Sequence, residues 1–487
     1  MAEGFETVIG LECHVELSTE TKMFCGCRNE FGAPPNTHVC PVCLGHPGSL
    51  PVPNEKAIEH IVRIGLALGC RIAPHSLFHR KNYFYPDMPK NFQISQYDLP
   101  ICVGGHLDVE VDGEVRRIGI TRVHMEEDTG KTTHVSVSGR IHEAEHALID
   151  FNRAGVPLVE VVSEPDIRSS QEARAYLTEL RATLEALGVS DVRMEEGSLR
   201  CDANISTRRE GASDFGVKVE IKNLNSIRSL ERALRYEEER QRAALQSGEP
   251  LVQETRHFDE DKGTTQTLRS KEEAFDYRYF PEPDLPPLEP DPGWVERIRA
   301  TLPELPAARR ARLGRDHALR PEQVAIVGSD RDATEYFERA VALGAPASSV
   351  AMWMTQDIAA YLNRTGREWS DLATDFPPER LRDLLRLVED DDLSSTGSKA
   401  AFDFAVTSGR PLDEVIQEHG LRQVSDSSQL EAWVDEAIAE NPGLVEQFRG
   451  GKESVLNALV GQVMRKSGGS ANPKVVSDLL RERLMRN

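Results

Sequence analysis

The 487 residues predict an α+β protein whose front half is an antiparallel sheet and whose back half is all helical. Three observations lead there. Short runs before residue 281 alternate apolar and polar residues with period two, separated by glycines and turn pairs such as Asp112-Gly113. Residues 281–292 hold six prolines in twelve positions; proline neither donates to a ladder nor sits inside a helix, so this segment reads as an extended connector. Beyond it, apolar residues recur at helical spacing almost throughout. No internal repeat of fixed period is present. The expected division is 1–292 for the sheet domain, 293–410 for a helical domain and 411–487 for a basic helical tail.

Taken in order, the first strand is Val8–Leu17. Ile9, Leu11, Cys13, Val15 and Leu17 alternate with Gly10, Glu12, His14 and Glu16, so Glu12, His14 and Glu16 share the face opposite the core. Around Ile118–Asp128 the alternation is looser, but His124, Glu126, Glu127 and Asp128 concentrate charge at a strand end. Ala173, Tyr176, Leu177, Leu180, Leu184 and Leu187 then recur at helical spacing across Ser170–Leu187. Leu199, Cys201, Ala203 and Ile205 alternate with Arg200, Asp202, Asn204 and Ser206, and Val217, Val219 and Ile221 with Lys218, Glu220 and Lys222. Helices are expected at Ile227–Leu245, Ser428–Ala439 and Lys452–Lys466.

One such polar face is ordinarily a solvated face. Four of them mixing acid, imidazole and base point further: carboxylates with an imidazole suit a divalent cation, and Lys and Arg suit phosphate oxygens. A sheet face combining both is a phosphoryl-transfer surface, where positioning and charge neutralisation supply most of the catalysis. Gly130-Lys131-Thr132 mimics the end of a P-loop, but position 125, where that loop needs glycine, is Met125. Ser467-Gly-Gly-Ser470 mimics an amidase serine loop, yet its composition suits a flexible linker.

The net charge of −22 argues against binding nucleic acid over the whole surface. It leaves room for a local basic site. Residues 449–487 hold eight Lys/Arg against three acids, a local +5. No run reaches the ~18 apolar residues of a membrane span, and Met1–Glu6 lack the regions of a signal peptide. The expected location is the cytoplasm, where eight cysteines are not a disulfide framework. Cys25-x-Cys27 and Cys40-x-x-Cys43 have metal-ligand spacing on turns made by Gly26, Pro41 and Gly45, which suits a structural tetrahedral Zn²⁺. Cys13 and Cys201 fall on apolar strand faces and read as small core residues.

Long stretches resemble a known family. Val8–Leu17, Arg80–Asp87, His124–Asp128, Ser163–Arg168, Met194–Ser206, Lys222–Ser226 and Asp276–Asp284 resemble the B subunits of the tRNA-dependent amidotransferases of bacteria and organelles, and the likeness spans the whole chain. It implies a cradle-shaped catalytic domain similar to glutamine synthetase, followed by helical and tail domains that contact tRNA. It implies that Glu or Asp misacylated on tRNA(Gln) or tRNA(Asn) is phosphorylated by ATP and then amidated by ammonia. The ammonia would come from a separate amidase (glutaminase) subunit, with a small third subunit completing a heterotrimer.

By the same resemblance the Mg²⁺ ligands fall on Glu12, His14, Glu127 and Glu220, with Glu126 as a neighbour. Arg200, Asp202, Asn204, Lys218 and Lys222 would line the cradle and touch substrate or phosphate, and Cys25, Cys27, Cys40 and Cys43 would hold zinc. Residues 134–146, with His134, His142 and His146, read as a surface hairpin. Two alternatives stay open: a noncatalytic tRNA-binding assembly protein, and a stand-alone ligase for a free amino acid.

Overall fold

The structure is a computed structural model that describes residues 4–135, 146–270, 277–423, 427–467 and 471–486. His142, expected in a surface hairpin, and residues 468–470 of the serine-rich loop lie outside the described residues. The chain forms two compact units, one ending at residue 307 and one beginning at 308.

The described residues of the first unit form fifteen strands: β1 (Phe5–Glu16), β2 (Arg71–Ile72), β3 (His79–Asn82), β4 (Phe92–Ser95), β5 (Cys102–Val103), β6 (His106–Val111), β7 (Glu114–Glu127), β8 (Lys131–Val135), β9 (His146–Asp150), β10 (Pro157–Ser163), β11 (Leu199–Arg209), β12 (Val219–Leu224), β13 (Glu254–Asp259), β14 (Thr264–Ser270) and β15 (Phe280–Pro281). Ten of them make one sheet in the order β14-β13-β12-β11-β1-β10-β7-β5-β2, with β6 also on β7. Every pairing in it is antiparallel except β12 with β13. β15, β3 and β4 form a second sheet, and β8 with β9 a separate antiparallel pair that holds His134 and His146.

β1 lies at the centre of the sheet, and its apolar face is buried along its length. Ile9, Leu11, Cys13 and Val15 join Val123 and Met125 of β7, Val159 and Val161 of β10, and Cys201, Ala203 and Ile205 of β11 in one core. Helices α1 (Glu55–Ala67), α2 (Ser170–Leu187) and α3 (Ile227–Ser247) bring apolar stripes to that core, among them Ile61 and Ile64, Leu177, Leu180 and Leu184, and Leu230 and Leu234. Each such side chain contributes ~1.5–3 kcal/mol by leaving water. Local chemistry sets the helix ends. Ser169 accepts from Glu172 N–H to start α2, and Gly188, at φ 66, ends it in the left-handed region that favours glycine. The expected span of this helix, 170–187, is the observed one.

The proline-dense segment is extended but packs onto the first unit. Leu285 is buried in its core, Ser76 and Leu288 exchange backbone hydrogen bonds of 2.9 and 2.8 Å, and the next helix, α4 (Pro292–Ala300), adds Val295 and Ile298 to the same core. Leucines set between the prolines tie it down, and the compact unit runs on to residue 307.

The described part of the second unit is helical and has two apolar clusters, one from Leu313 to Ile416 and one from Leu430 to Leu484. The second cluster is built by helices Ser427–Glu440, Pro442–Arg449, Leu456–Lys466 and Pro473–Arg486. No described helix is long and apolar enough to cross a membrane.

Candidate active site

The register of the central strands stacks polar residues into rows across one face of the sheet. His14 on β1 is opposite Glu160 on β10 and Arg200 on β11, and Glu160 is opposite His124 on β7. One row along, Glu12 is opposite Asp202, and in the next Asn204 is opposite Glu220. Period two does the rest: the same strands turn Val123, Val159, Val161 and Cys13 to the core.

At the centre, His14 Nε2 is 3.6 Å from Glu160 Oε2 and 3.7 Å from Glu126 Oε1. These three residues each offer a donor atom, all within 4.8 Å of one another, so they can hold one metal ion. His124 Nε2 lies 3.2 Å from the same Glu160 oxygen. Burial would raise the Glu160 carboxyl, but the imidazoles of His124 and His14, together with Lys81, outweigh it and hold the group below the usual carboxylate range. Glu12 goes the other way: burial, then the carboxylates of Glu160, Asp202 and Glu220, push its carboxyl up. Asn204 Nδ2 donates to Glu12 Oε1 at 2.9 Å.

Cations flank this acidic centre. Lys222 Nζ is 2.7 Å from Asp202 Oδ2 and 3.6 Å from Glu220 Oε1, while Thr255 Oγ1 donates to Glu220 Oε2 at 2.9 Å. Arg200 pairs with buried Asp128, and Arg153 Nε lies 3.6 Å from the same carboxylate. Lys81 on β3 is held charged: burial opposes it, but Glu126, Tyr279 and Glu160 push its ammonium above the ordinary lysine range. Lys218 precedes β12 and is exposed, off the ladder that places Glu220 and Lys222.

Glu127 does not join His14. One residue along β7 from Glu126, it faces the other side of the strand, ion-pairs with Lys90 and accepts from Ile94 N–H at 2.9 Å. Both partners are buried, with side-chain exposures of 8% for Lys90 and 3% for Glu127. Glu12, His14, Asp202, Asn204, Glu220 and Lys222 therefore share the face, Arg200 borders it, and Glu127 and Lys218 lie off it. Sequence reasoning missed Glu160, although the signal was present: it is the one acid within Leu158–Val162, a run that is otherwise apolar. It also gave no role to Lys81 or Tyr279, which lie outside the large sheet.

A second metal-ligand set stands apart. The Sγ atoms of Cys25, Cys27, Cys40 and Cys43 lie within 4.8 Å of one another. Cys40 N–H donates to Cys43 Sγ at 3.2 Å, and buried Lys22 reaches the same sulfur at 3.8 Å while donating to the carbonyls of His38 and Phe151. Hydrogen bonding from Cys25 lowers Cys43 to about 5, against the effect of burial. One stabilised thiolate among four convergent sulfurs is the donor chemistry of a tetrahedral zinc site with no open position.

Chemically, the sheet face can bind a divalent cation between carboxylates and place cations where phosphate oxygens would sit. Residues 7–296 match the family described as the GatB/GatE catalytic domain, and residues 335–484 the family described as the GatB domain. The chain is similar to curated proteins named as the B subunits of aspartyl/glutamyl-tRNA(Asn/Gln) amidotransferases. It is 49% identical over 480 residues to that of Carboxydothermus hydrogenoformans, covering 99% of both chains. It is 52% identical over 480 residues to that of Moorella thermoacetica, covering 99% of this chain and 100% of the relative. It is 53% identical over 486 residues to that of Frankia casuarinae, covering 99% and 96%.

Proposed function

The chain belongs to the family of aspartyl/glutamyl-tRNA(Asn/Gln) amidotransferase B subunits, and from that premise we propose what its polar sheet face does. It works as a ligase that forms carbon–nitrogen bonds. A side-chain carboxylate oxygen of Glu or Asp, misacylated on tRNA(Gln) or tRNA(Asn), attacks the γ-phosphorus of ATP and ADP leaves. Ammonia then attacks the acyl carbon and phosphate leaves, giving Gln-tRNA(Gln) or Asn-tRNA(Asn).

The observation that supports this most is the convergence of His14, Glu126 and Glu160, from three strands, beside Lys81. These three would hold Mg²⁺, with Glu12 and Glu220 bordering it; the Glu12 carboxyl, raised by burial and crowded acids, marks surplus negative charge that a cation relieves. Bound there, Mg²⁺ supplies charge neutralisation between carboxylate and phosphate. Lys81, Lys222 and Arg200 orient phosphate oxygens, and Asn204 fixes Glu12. Cys25, Cys27, Cys40 and Cys43 would hold a structural Zn²⁺ that pins the loop they span.

We read the large sheet as a cradle similar to that of glutamine synthetase, the helices between residues 308 and 416 as a helical domain, and those from 427 on as a tail whose basic end, residues 449–487, grips the tRNA. Ammonia would be made by an amidase subunit, joined with a small third subunit in a heterotrimer. We propose the cytoplasm as the place where the chain works.

Supplying the full-length chain with ATP, ammonium and either Glu-tRNA(Gln) or free glutamate tests this. Amidation of the tRNA-borne residue alone, with glutamine unable to replace ammonium, is the expected result. Turnover of free glutamate, or glutamine-dependent activity of the isolated chain, would contradict it.

A further inference from the structure

Tyr97, two residues beyond β4, is 45% exposed, yet its ring is stacked on that of Tyr279, with centroids 4.3 Å apart and planes at 7°. Tyr279 in turn meets Tyr277 edge-on at 6.1 Å, and Lys81 Nζ lies 4.8 Å from the centre of the Tyr277 ring. Lys81 and Tyr279 both feel the carboxylates of Glu126 and Glu160. A strip therefore runs from the Lys81 ammonium over Tyr277 and Tyr279 to Tyr97, whose half-exposed ring also meets His79 edge-on.

Single exposed apolar side chains are common and need no explanation. A stacked pair joined through a third ring to a lysine differs: aromatic rings beside positive charge are how proteins hold unpaired nucleotides, because every base has a π-face. We propose that Tyr97, backed by Tyr279, is the stacking floor for the unpaired terminal base at the aminoacylated 3′ end of the tRNA. This rests on the function proposed above and adds a subsite to it.

The adenine of ATP is the other base this ring could take, on a tether of nearly equal length, and the test below separates the two. The carboxylate to be phosphorylated is the side chain of an amino acid esterified directly to the terminal ribose. Its base is thus held to the reacting carboxylate by one ribose and one amino acid. The adenine of ATP stands behind a ribose and two further phosphates. Stacking that base on Tyr97 would hold the ester-linked glutamate over Glu126, Glu160 and Lys81 and limit its rotation, which raises the effective concentration of the nucleophile.

The test compares full-length wild type with Tyr97→Ala and Tyr97→Phe, each binding Glu-tRNA(Gln), the deacylated tRNA, the deacylated tRNA trimmed of its terminal nucleotide alone, and ATP; trimming is read against the deacylated tRNA. Melting temperatures are recorded alongside. Trimming is expected to weaken wild-type binding by roughly 5- to 150-fold, the span of one aromatic–base stack. Tyr97→Ala should weaken binding of intact tRNA by a similar factor and become insensitive to trimming, and Tyr97→Phe, which keeps the ring, should restore the sensitivity. A Tyr97→Ala protein that keeps wild-type sensitivity to trimming overturns the proposal. So does a loss confined to ATP, which would assign the ring to the adenine of ATP. Wild type that does not distinguish misacylated tRNA from unrelated RNA overturns the function itself, a separate outcome.

Discussion

Glu126 and Glu127 are consecutive on β7, and the strand's period of two sends them to different neighbourhoods. Glu126 reaches His14, and Glu127 is locked against Lys90. The two glutamine substitutions should therefore behave differently. Glu126→Gln is expected to lower ATP-dependent trapping of the acyl phosphate with hydroxylamine on the order of 10²- to 10³-fold or more, with little change in melting temperature. Glu127→Gln leaves the Lys90 ammonium buried without its charge partner, so a stability loss of about 3–5 kcal/mol is expected in denaturant titration. Equal stabilities of the two variants would undo the separation. At this scale the sequence was partly legible. Alternation along Val8–Leu17 places Glu12 and His14 on one face, but which of two adjacent acids on β7 faces them depends on the β10 register, which a single strand does not reveal.

At the scale of elements, β1, α2 and α3 were legible because each carries its period and its boundary in its own residues. Ser169, Gly188, Ser226 and Gly248 all act as caps. The sheet order was not legible. Pairings such as β1 with β11 join residues nearly two hundred positions apart, and the parallel placement of β13 on β12 has no local signal. The cysteine loop lies between these cases: its spacing predicts a ligand set, and the fold brings the four sulfurs together. Cys40→Ser is expected to lower both bound zinc and melting temperature, because binding of a structural metal is itself folding free energy. Metal analysis of the purified protein that finds no zinc in wild type would reduce the cluster to a thiol loop.

For the whole molecule, the −22 net charge and the basic end pull in opposite directions. Two of the tail cations are engaged within it: Lys466 pairs with Glu436 and Glu440, and Arg483 with Glu431 and Asp435. Arg449, Lys452, Arg465, Lys474 and Arg481 make up most of the rest. A truncation at 410 would strip Leu412, Val415 and Ile416 from the preceding apolar cluster, whereas ending the chain at 423 spares it. The shorter deletion should raise the Michaelis constant for misacylated tRNA far more than that for ATP. Its defect relative to full length should shrink as salt rises, since Lys and Arg contacts to phosphate are salt-sensitive. Equal tRNA affinity at low salt, with and without residues 424–487, would remove the tail from recognition.

The central claim is that His14, Glu126 and Glu160 form the centre at which the tRNA-borne carboxylate is activated, and Glu160→Gln tests it most directly. It removes one charge from a group shared by two imidazoles and leaves the apolar face of β10 untouched. Hydroxamate formation from Glu-tRNA(Gln) and ATP, measured with full-length wild type and variant beside their melting curves, is the measurement. A folded Glu160→Gln protein that binds the tRNA and forms almost no hydroxamate is the predicted result. A folded variant that forms it at the wild-type rate would contradict the claim.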